Sequence, residues 1–192
     1  MQVFEKLLVQ VSSALERNRI PYMVIGGQAV LLHGKPRFTG DIDVTLGVDT
    51  DQLENVLAIF DELSLKPVRQ NAREFAKRNA LLSVKDTGSG IIIDLIFSFL
   101  PYERQAIDRA VEINIGGRRI NFASAEDTII HKLFAGRAVD LEDVKGIINL
   151  QENLDTKYIQ KWLREFSQVC GRDLVALYNA LHAEIDRPRK SS

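Results

Sequence analysis

The chain has 192 residues, 45% of them hydrophobic and 27% charged, with a formal net charge of −1. That mix belongs to a globular domain able to bury its own core, and it excludes a wholly basic nucleic-acid binder while leaving room for a local basic groove. A single cysteine, Cys170, rules out an internal disulfide and suits a reducing, cytoplasmic setting; no run reaches the roughly 18 uncharged apolar residues of a membrane span, and Met1-Gln2-Val3-Phe4-Glu5 lacks a signal-peptide pattern.

Val3, Leu7, Val11, Ala14 and Leu15 fall on one face of a helix predicted over Val3 to Arg17. After Pro21, Tyr22 to Ile25 reads as a short strand running into Gly26-Gly27. Gln28 to His33 reads as a short helix closed by Gly34, followed by the loop Lys35 to Gly40. Asp41 to Val48 alternates as a strand, with Ile42, Val44 and Leu46 on one side and Asp41, Asp43 and Thr45 on the other. Asp51 to Leu63 has a helical pattern, and residues 64 to 78 are polar and basic. Ala80 to Lys85 and Ile91 to Phe97 read as strands joined by a turn. A short helix is expected over Glu103 to Ala110. Val111 to Ile115 and Arg118 to Phe122 flank Gly116-Gly117, a hairpin signature.

From Ser124 the pattern is helical only. Ser124 sits at an N-cap with Asp127 three residues on, an approximate capping box. Helices are predicted over Ala125 to Ala135, Leu141 to Leu150, Thr156 to Val169 and Arg172 to Ile185. In the third of these, Ile159, Trp162, Leu163 and Phe166 have the spacing of a core stripe. The tail from Arg187 to Ser192 reads as unstructured. The expected architecture is α/β (α+β), with a mixed sheet flanked by helices over residues 1–122 and a helical region over 123–192 packed on it.

Three carboxylates carry the chemistry. Asp41 and Asp43, two apart on a strand, point to one face. Asp94 lies inside the apolar run Ile91 to Phe97, where an ionised group is costly unless something compensates it. A divalent cation would compensate all three, and an oxygen-only ligand set selects magnesium or manganese over zinc. Gly26-Gly27, after a strand and before a helix, lets backbone N–H groups approach a phosphate at a helix N-terminus. Thr39 stands just before the acids as a further donor.

Ile25-Gly26-Gly27-Gln28-Ala29, then Gly34, Arg37, Thr39 and Asp41-Ile42-Asp43-Val44, with Asp94 in Ile93-Asp94-Leu95-Ile96, resembles the signature of the DNA polymerase β-type nucleotidyltransferases. The Gly-Gly-x-Ala form, with Arg and Thr before Asp-Ile-Asp, is most similar to the AbiEii-like branch of abortive-infection and toxin–antitoxin proteins. Lys132, Arg137, Asp140 and Asp143 resemble that branch's downstream Lys…Arg…Asp…Asp motif. The resemblance implies a nucleotidyltransferase-like fold that moves a nucleoside monophosphate from an NTP to a hydroxyl on tRNA or another RNA, a protein or a small molecule, with a cognate toxin or antitoxin as a possible partner. It implies Asp41, Asp43 and Asp94 as catalytic residues and ligands of Mg2+ or Mn2+, Gly26, Gly27, Arg37, Thr39 and Lys132 as nucleotide contacts, and Arg137, Asp140 and Asp143 as support.

Blander readings compete residue by residue. Gly26-Gly27 alone makes a tight turn, Asp140 can cap a helix, and Asp143 can pair with a helix neighbour. His33, His131 and His182 lack metal-ligand spacing. Lys66, Arg69, Arg73, Lys77 and Arg78, with Phe75 among them, read first as a solvated face and second as an acceptor groove. The competing function is a non-catalytic partner-binding protein, an antitoxin or pseudoenzyme that keeps the fold. Metal-dependent phosphoester hydrolysis ranks last because it does not need the glycine cradle.

Overall fold

Helix α1 (Val3–Arg17) buries Leu7, Leu8, Val11, Ala14 and Leu15 as its stripe predicts, leaving Val3 at the exposed start. It leads into β1 (Tyr22–Ile25), and α2 (Gly26–His33) follows with no intervening loop. The computed structural model describes residues 2–98 and 100–185; the terminal segment from Arg187 lies outside the described residues. The chain divides into two units, residues 1–28 with 38–123 and residues 29–37 with 124–192, so α2 begins in the first and continues in the second.

The first unit holds a seven-stranded mixed sheet. Its other strands are β2 (Asp41–Leu46), β3 (Leu65–Pro67), β4 (Leu81–Asp86), β5 (Ile92–Phe97), β6 (Val111–Ile115) and β7 (Arg118–Phe122), and the spatial order is β3-β4-β5-β2-β1-β7-β6. β2 runs parallel to β5 and β1 parallel to β7, while the remaining pairs are antiparallel. Alternation sorts the sheet's two faces. Ile42, Val44, Leu46, Leu82, Val84, Ile93, Leu95 and Phe97 enter a core with residues of α1, α3 (Leu53–Glu62) and α4 (Ala72–Asn79). The opposite face receives Asp41, Asp43, Ser83, Lys85, Ile92 and Asp94.

Two elements depart from expectation within residues 64–78, where β3 and α4 form. α4 buries only Ala72 and Ala76, so its apolar stripe is too thin to register as a helical period. The expected helix from Asp51 resolves into a 3-10 turn, Thr50–Gln52, followed by α3. The Gly116-Gly117 hairpin forms, with both glycines at positive φ, 58° and 81°. Helix α5 (Pro101–Asp108) begins two residues earlier than expected, with Pro101 in its first turn.

The second unit is built from α6 (Ala125–Ala135), α7 (Ala138–Leu150), α8 (Thr156–Cys170) and α9 (Leu174–Ile185). Ser124 caps α6 as expected: its hydroxyl accepts from the Asp127 N–H at 3.1 Å and donates to the Asp127 carboxylate at 2.7 Å. Ile129, Ile130, Leu133, Val144, Ile147, Ile159, Leu163, Leu174 and Tyr178 fill its interior. Trp162 and Phe166, from the expected α8 stripe, are only half-buried. No helix among the described residues is long and apolar enough to cross a membrane.

Candidate active site

The strand register assembles the site. Asp43 on β2 stands directly opposite Asp94 on the parallel neighbour β5. Asp94 in turn faces Ser83 on β4, and Asp43 faces Ile25, the last residue of β1. Paired residues share a face, so Ser83, Asp94, Asp43 and Ile25 form one row across four strands. Asp41 lies on the same face two residues before Asp43.

The row ends at the glycine turn. Gly26 has φ +64°, and a Cβ placed there would collide with the Asp43 carboxylate, 2.7 Å from its Cγ. The carboxylate therefore occupies the space that a side chain at residue 26 would fill, against the N-terminus of α2, where the helix dipole favours negative charge. A Cβ on Gly27 would likewise meet Thr39, 2.7 Å from its Cβ. The Thr39 hydroxyl donates to Asp41 Oδ1 at 3.1 Å. The Ser83 hydroxyl donates to Asp94 Oδ1 at 2.5 Å. Gly26, Gly27, Thr39, Asp41, Asp43 and Asp94 are thus drawn together in the first unit.

Among the described residues, no three His, Cys, Asp or Glu side chains stand close enough to hold a metal ion by themselves. Magnesium does not require such a cage. It is held by one or two carboxylates together with substrate phosphates and water. An oxygen-only pair on adjacent strands, beside a turn from which a side chain is excluded, fits that mode of binding.

The remaining expected residues form a separate cluster in the second unit. Arg37 binds Asp143 through two parallel hydrogen bonds of 2.7 and 2.8 Å. The Lys132 ammonium, 6% exposed, lies 3.0 Å from both Asp140 and Asp143. Arg137 donates to Asp140 through its side chain, at 2.7 and 3.0 Å, and through its backbone N–H, at 3.1 Å. Asp140 therefore braces the first turn of α7, near the capping role open to it in the sequence, and Asp143 pairs across the unit and not along its own helix. Burial raises the Asp140 carboxyl, but hydrogen bonds from Arg137 and Lys132 outweigh it and hold the group down at about 2. Asp143 is lowered in the same way, against burial, by Arg37 and Lys132. The Arg37 guanidinium is correspondingly raised, chiefly by its bond to Asp143.

A cleft of about 380 Å³ opens beside this cluster. Five of its charged lining residues pair with one another: Lys145 bridges Glu142 and Glu184, and Arg37 holds Asp143. In the first unit the basic run lies on an exposed surface, and Lys66, Arg69 and Arg73 have partners there. Arg73 binds Glu54, Lys66 binds Asp61, and Arg69 stacks on Phe75 with its guanidinium carbon 4.3 Å from the ring centre. His131 is half-buried on α6, and desolvation there holds its imidazole below its ordinary pKa. Ser83 is the site neighbour that the sequence left unassigned. Its strand was legible, but its position opposite Asp94 depends on the register of β4 against β5.

A mixed sheet with paired acids on adjacent strands and a glycine turn at its edge defines the nucleotidyltransferase-like class of fold. Solved structures agree. A nucleotidyltransferase-like protein from Paracoccidioides brasiliensis superposes with a TM-score of 0.57 at 19% identity, over 92% of each chain. ANT(2″)-Ia, solved with adenylyl-2″-tobramycin, gives 0.54 at 17% identity, over 95% of this chain and 99% of its own. The lincosamide antibiotic adenylyltransferase LnuA, solved with lincomycin, gives 0.54 at 20% identity, over 79% of this chain and 99% of its own. At these identities the likeness is one of fold. No curated protein sequence matches the chain. A family model matches residues 1–181, and the chain belongs to that family, DUF6036, described as a nucleotidyltransferase of unknown function. The protein is therefore a nucleotidyltransferase enzyme.

Proposed function

We propose that the protein transfers a nucleoside monophosphate from an NTP to a hydroxyl acceptor on the sheet face that carries Asp41, Asp43 and Asp94. One observation carries the reading: Asp43 and Asp94 stand in register on adjacent strands, and the Asp43 carboxylate fills the space left by Gly26. A divalent cation, Mg2+ or Mn2+, held by Asp43 and Asp94 together with the triphosphate would neutralise triphosphate charge and make the acceptor hydroxyl more acidic.

The chain's own groups divide the remaining work. Backbone N–H groups at Gly26 and Gly27 receive the triphosphate at the start of α2. Thr39 fixes Asp41 through its 3.1 Å hydrogen bond. The acceptor oxygen attacks the α-phosphorus, the bond from that phosphorus to the bridging oxygen breaks, and pyrophosphate leaves. The hydroxyl proton passes to water as the oxygen attacks, and Asp94, whose Oδ1 accepts the Ser83 hydroxyl, keeps its charge for the cation. Arg37 and Lys132 we assign to bracing the second unit with Arg137, Asp140 and Asp143, since both cations already hold carboxylates. The glycine and Arg-x-Thr-x-Asp-Ile-Asp motifs carry the finer proposal of an AbiEii-like branch with a toxin–antitoxin partner.

The test is incubation with each α-labelled NTP, Mg2+ and either total tRNA or a cell lysate. Label is expected to move to one acceptor class, which names the substrate. Asp43→Asn should abolish transfer while leaving the circular dichroism spectrum unchanged. Full transfer by that variant would remove the mechanism.

A further inference from the structure

We propose that Ser83 is a positioning residue that fixes the Asp94 carboxylate for cation binding. The inference rests on the reading of Asp94 as a cation-binding acid and extends it to a residue outside the acid and glycine motifs. Ser83 is the in-register partner of Asp94 on β4, and its hydroxyl donates to Oδ1 at 2.5 Å. A carboxylate on a short side chain turns about its last bond over a broad range, and a donor on one oxygen narrows that range. Cation-binding carboxylates depend on such second partners for orientation.

The chemistry of the donor matters as much as its place. The residues of β4 that share this face are Leu81, Ser83 and Lys85. A leucine opposite Asp94 would offer no hydrogen bond. A lysine there would neutralise the carboxylate and compete with a metal ion for it. Serine orients the group through a neutral hydroxyl and leaves its negative charge available to a cation. The row Ser83, Asp94, Asp43, leading past Ile25 to Gly26, then reads in order across the sheet: an orienting donor, two ligands, and the turn that receives phosphate.

The test measures binding, not turnover. Water-proton relaxation enhancement by Mn2+ with inorganic triphosphate reports the ternary complex without requiring the preferred base or the acceptor. Ser83→Ala is expected to weaken that complex about 10-fold, the lower end of the effect of removing an orienting partner. Ser83→Thr, which restores the hydroxyl, should return it to within about twofold of wild type, and thermal midpoints of the variants should match. Ser83→Cys, similar in size with a weak donor, gives the same comparison against Ser83→Thr should the alanine variant not fold. Wild-type-like binding by Ser83→Ala or Ser83→Cys, while Asp43→Asn and Asp94→Asn lose the complex, overturns the role of Ser83 and leaves the site standing. No enhancement with wild type, or undiminished enhancement with Asp43→Asn and Asp94→Asn, overturns the site itself.

Discussion

Gly26→Ala separates the backbone demands of the glycine turn from its chemical purpose. Residue 26 has φ +64°, a region costing an L-residue roughly 1–2 kcal/mol. For a chain of this size that lowers the thermal midpoint by about 2–8 °C. The added Cβ would also stand 2.7 Å from Asp43 Cγ, where ordinary contacts lie at 3.4–4 Å. The carboxylate must retreat by roughly 1 Å, and a misplacement of that size in a reacting constellation costs about 100-fold in rate. Gly117→Ala supplies the control. Its φ is +81°, and a Cβ there meets nothing within 4 Å. It should lose comparable stability and no transfer activity. The assay is label transfer from α-labelled NTP at a temperature where both variants are folded by circular dichroism. If Gly26→Ala keeps wild-type activity, or if the two variants lose activity alike, the glycine turn is not where Asp43 is set for catalysis.

Two predictions concern the second unit. Lys132→Met leaves Asp140 and Asp143 buried without the ammonium between them, and should cost about 3 kcal/mol in urea unfolding, the low end for breaking a buried pair because Arg37 and Arg137 still hold the carboxylates. An unchanged urea midpoint with a raised KM for NTP would instead return Lys132 to the phosphates. The pH dependence follows from Asp140, whose carboxyl falls from 3.8 to about 2 in the folded chain. A lowered folded pKa gives stability that is present above the unfolded pKa and is lost as pH falls through the folded one, so about 2 kcal/mol should disappear between pH 4 and pH 2. Asp140→Asn should flatten that part of the profile, measured as urea midpoints from pH 5 to pH 2, and an equally steep loss in the variant would refute the assignment. His131 adds an earlier decline: half-buried and held below its ordinary 6.5, it takes up a proton on unfolding, so stability begins to fall as pH drops below about 6.5.

What the sequence disclosed follows from the range of the forces involved. The strand bearing Asp41 and Asp43 was legible because alternation is a local property, the one bearing Asp94 because an apolar run bounded by a turn is too, and the hairpin because Gly116-Gly117 meets a local backbone demand. β3 and α4 were not, since three edge residues and a helix that buries two alanines carry almost no period. Helix α2 starts at Gly26, ahead of the expected Gln28, because the chain turns directly from strand to helix through residues with no side chain to obstruct it. Arg37 and Asp143, 106 residues apart, meet only after folding, so pairing a loop arginine with a helix aspartate was beyond any local pattern. The same limit explains why a motif assigns Lys132 to phosphate while the fold surrounds it with carboxylates. Motifs preserve which residue types occur at which spacing, whereas burial and partner decide whether a cation faces a ligand or holds helices together.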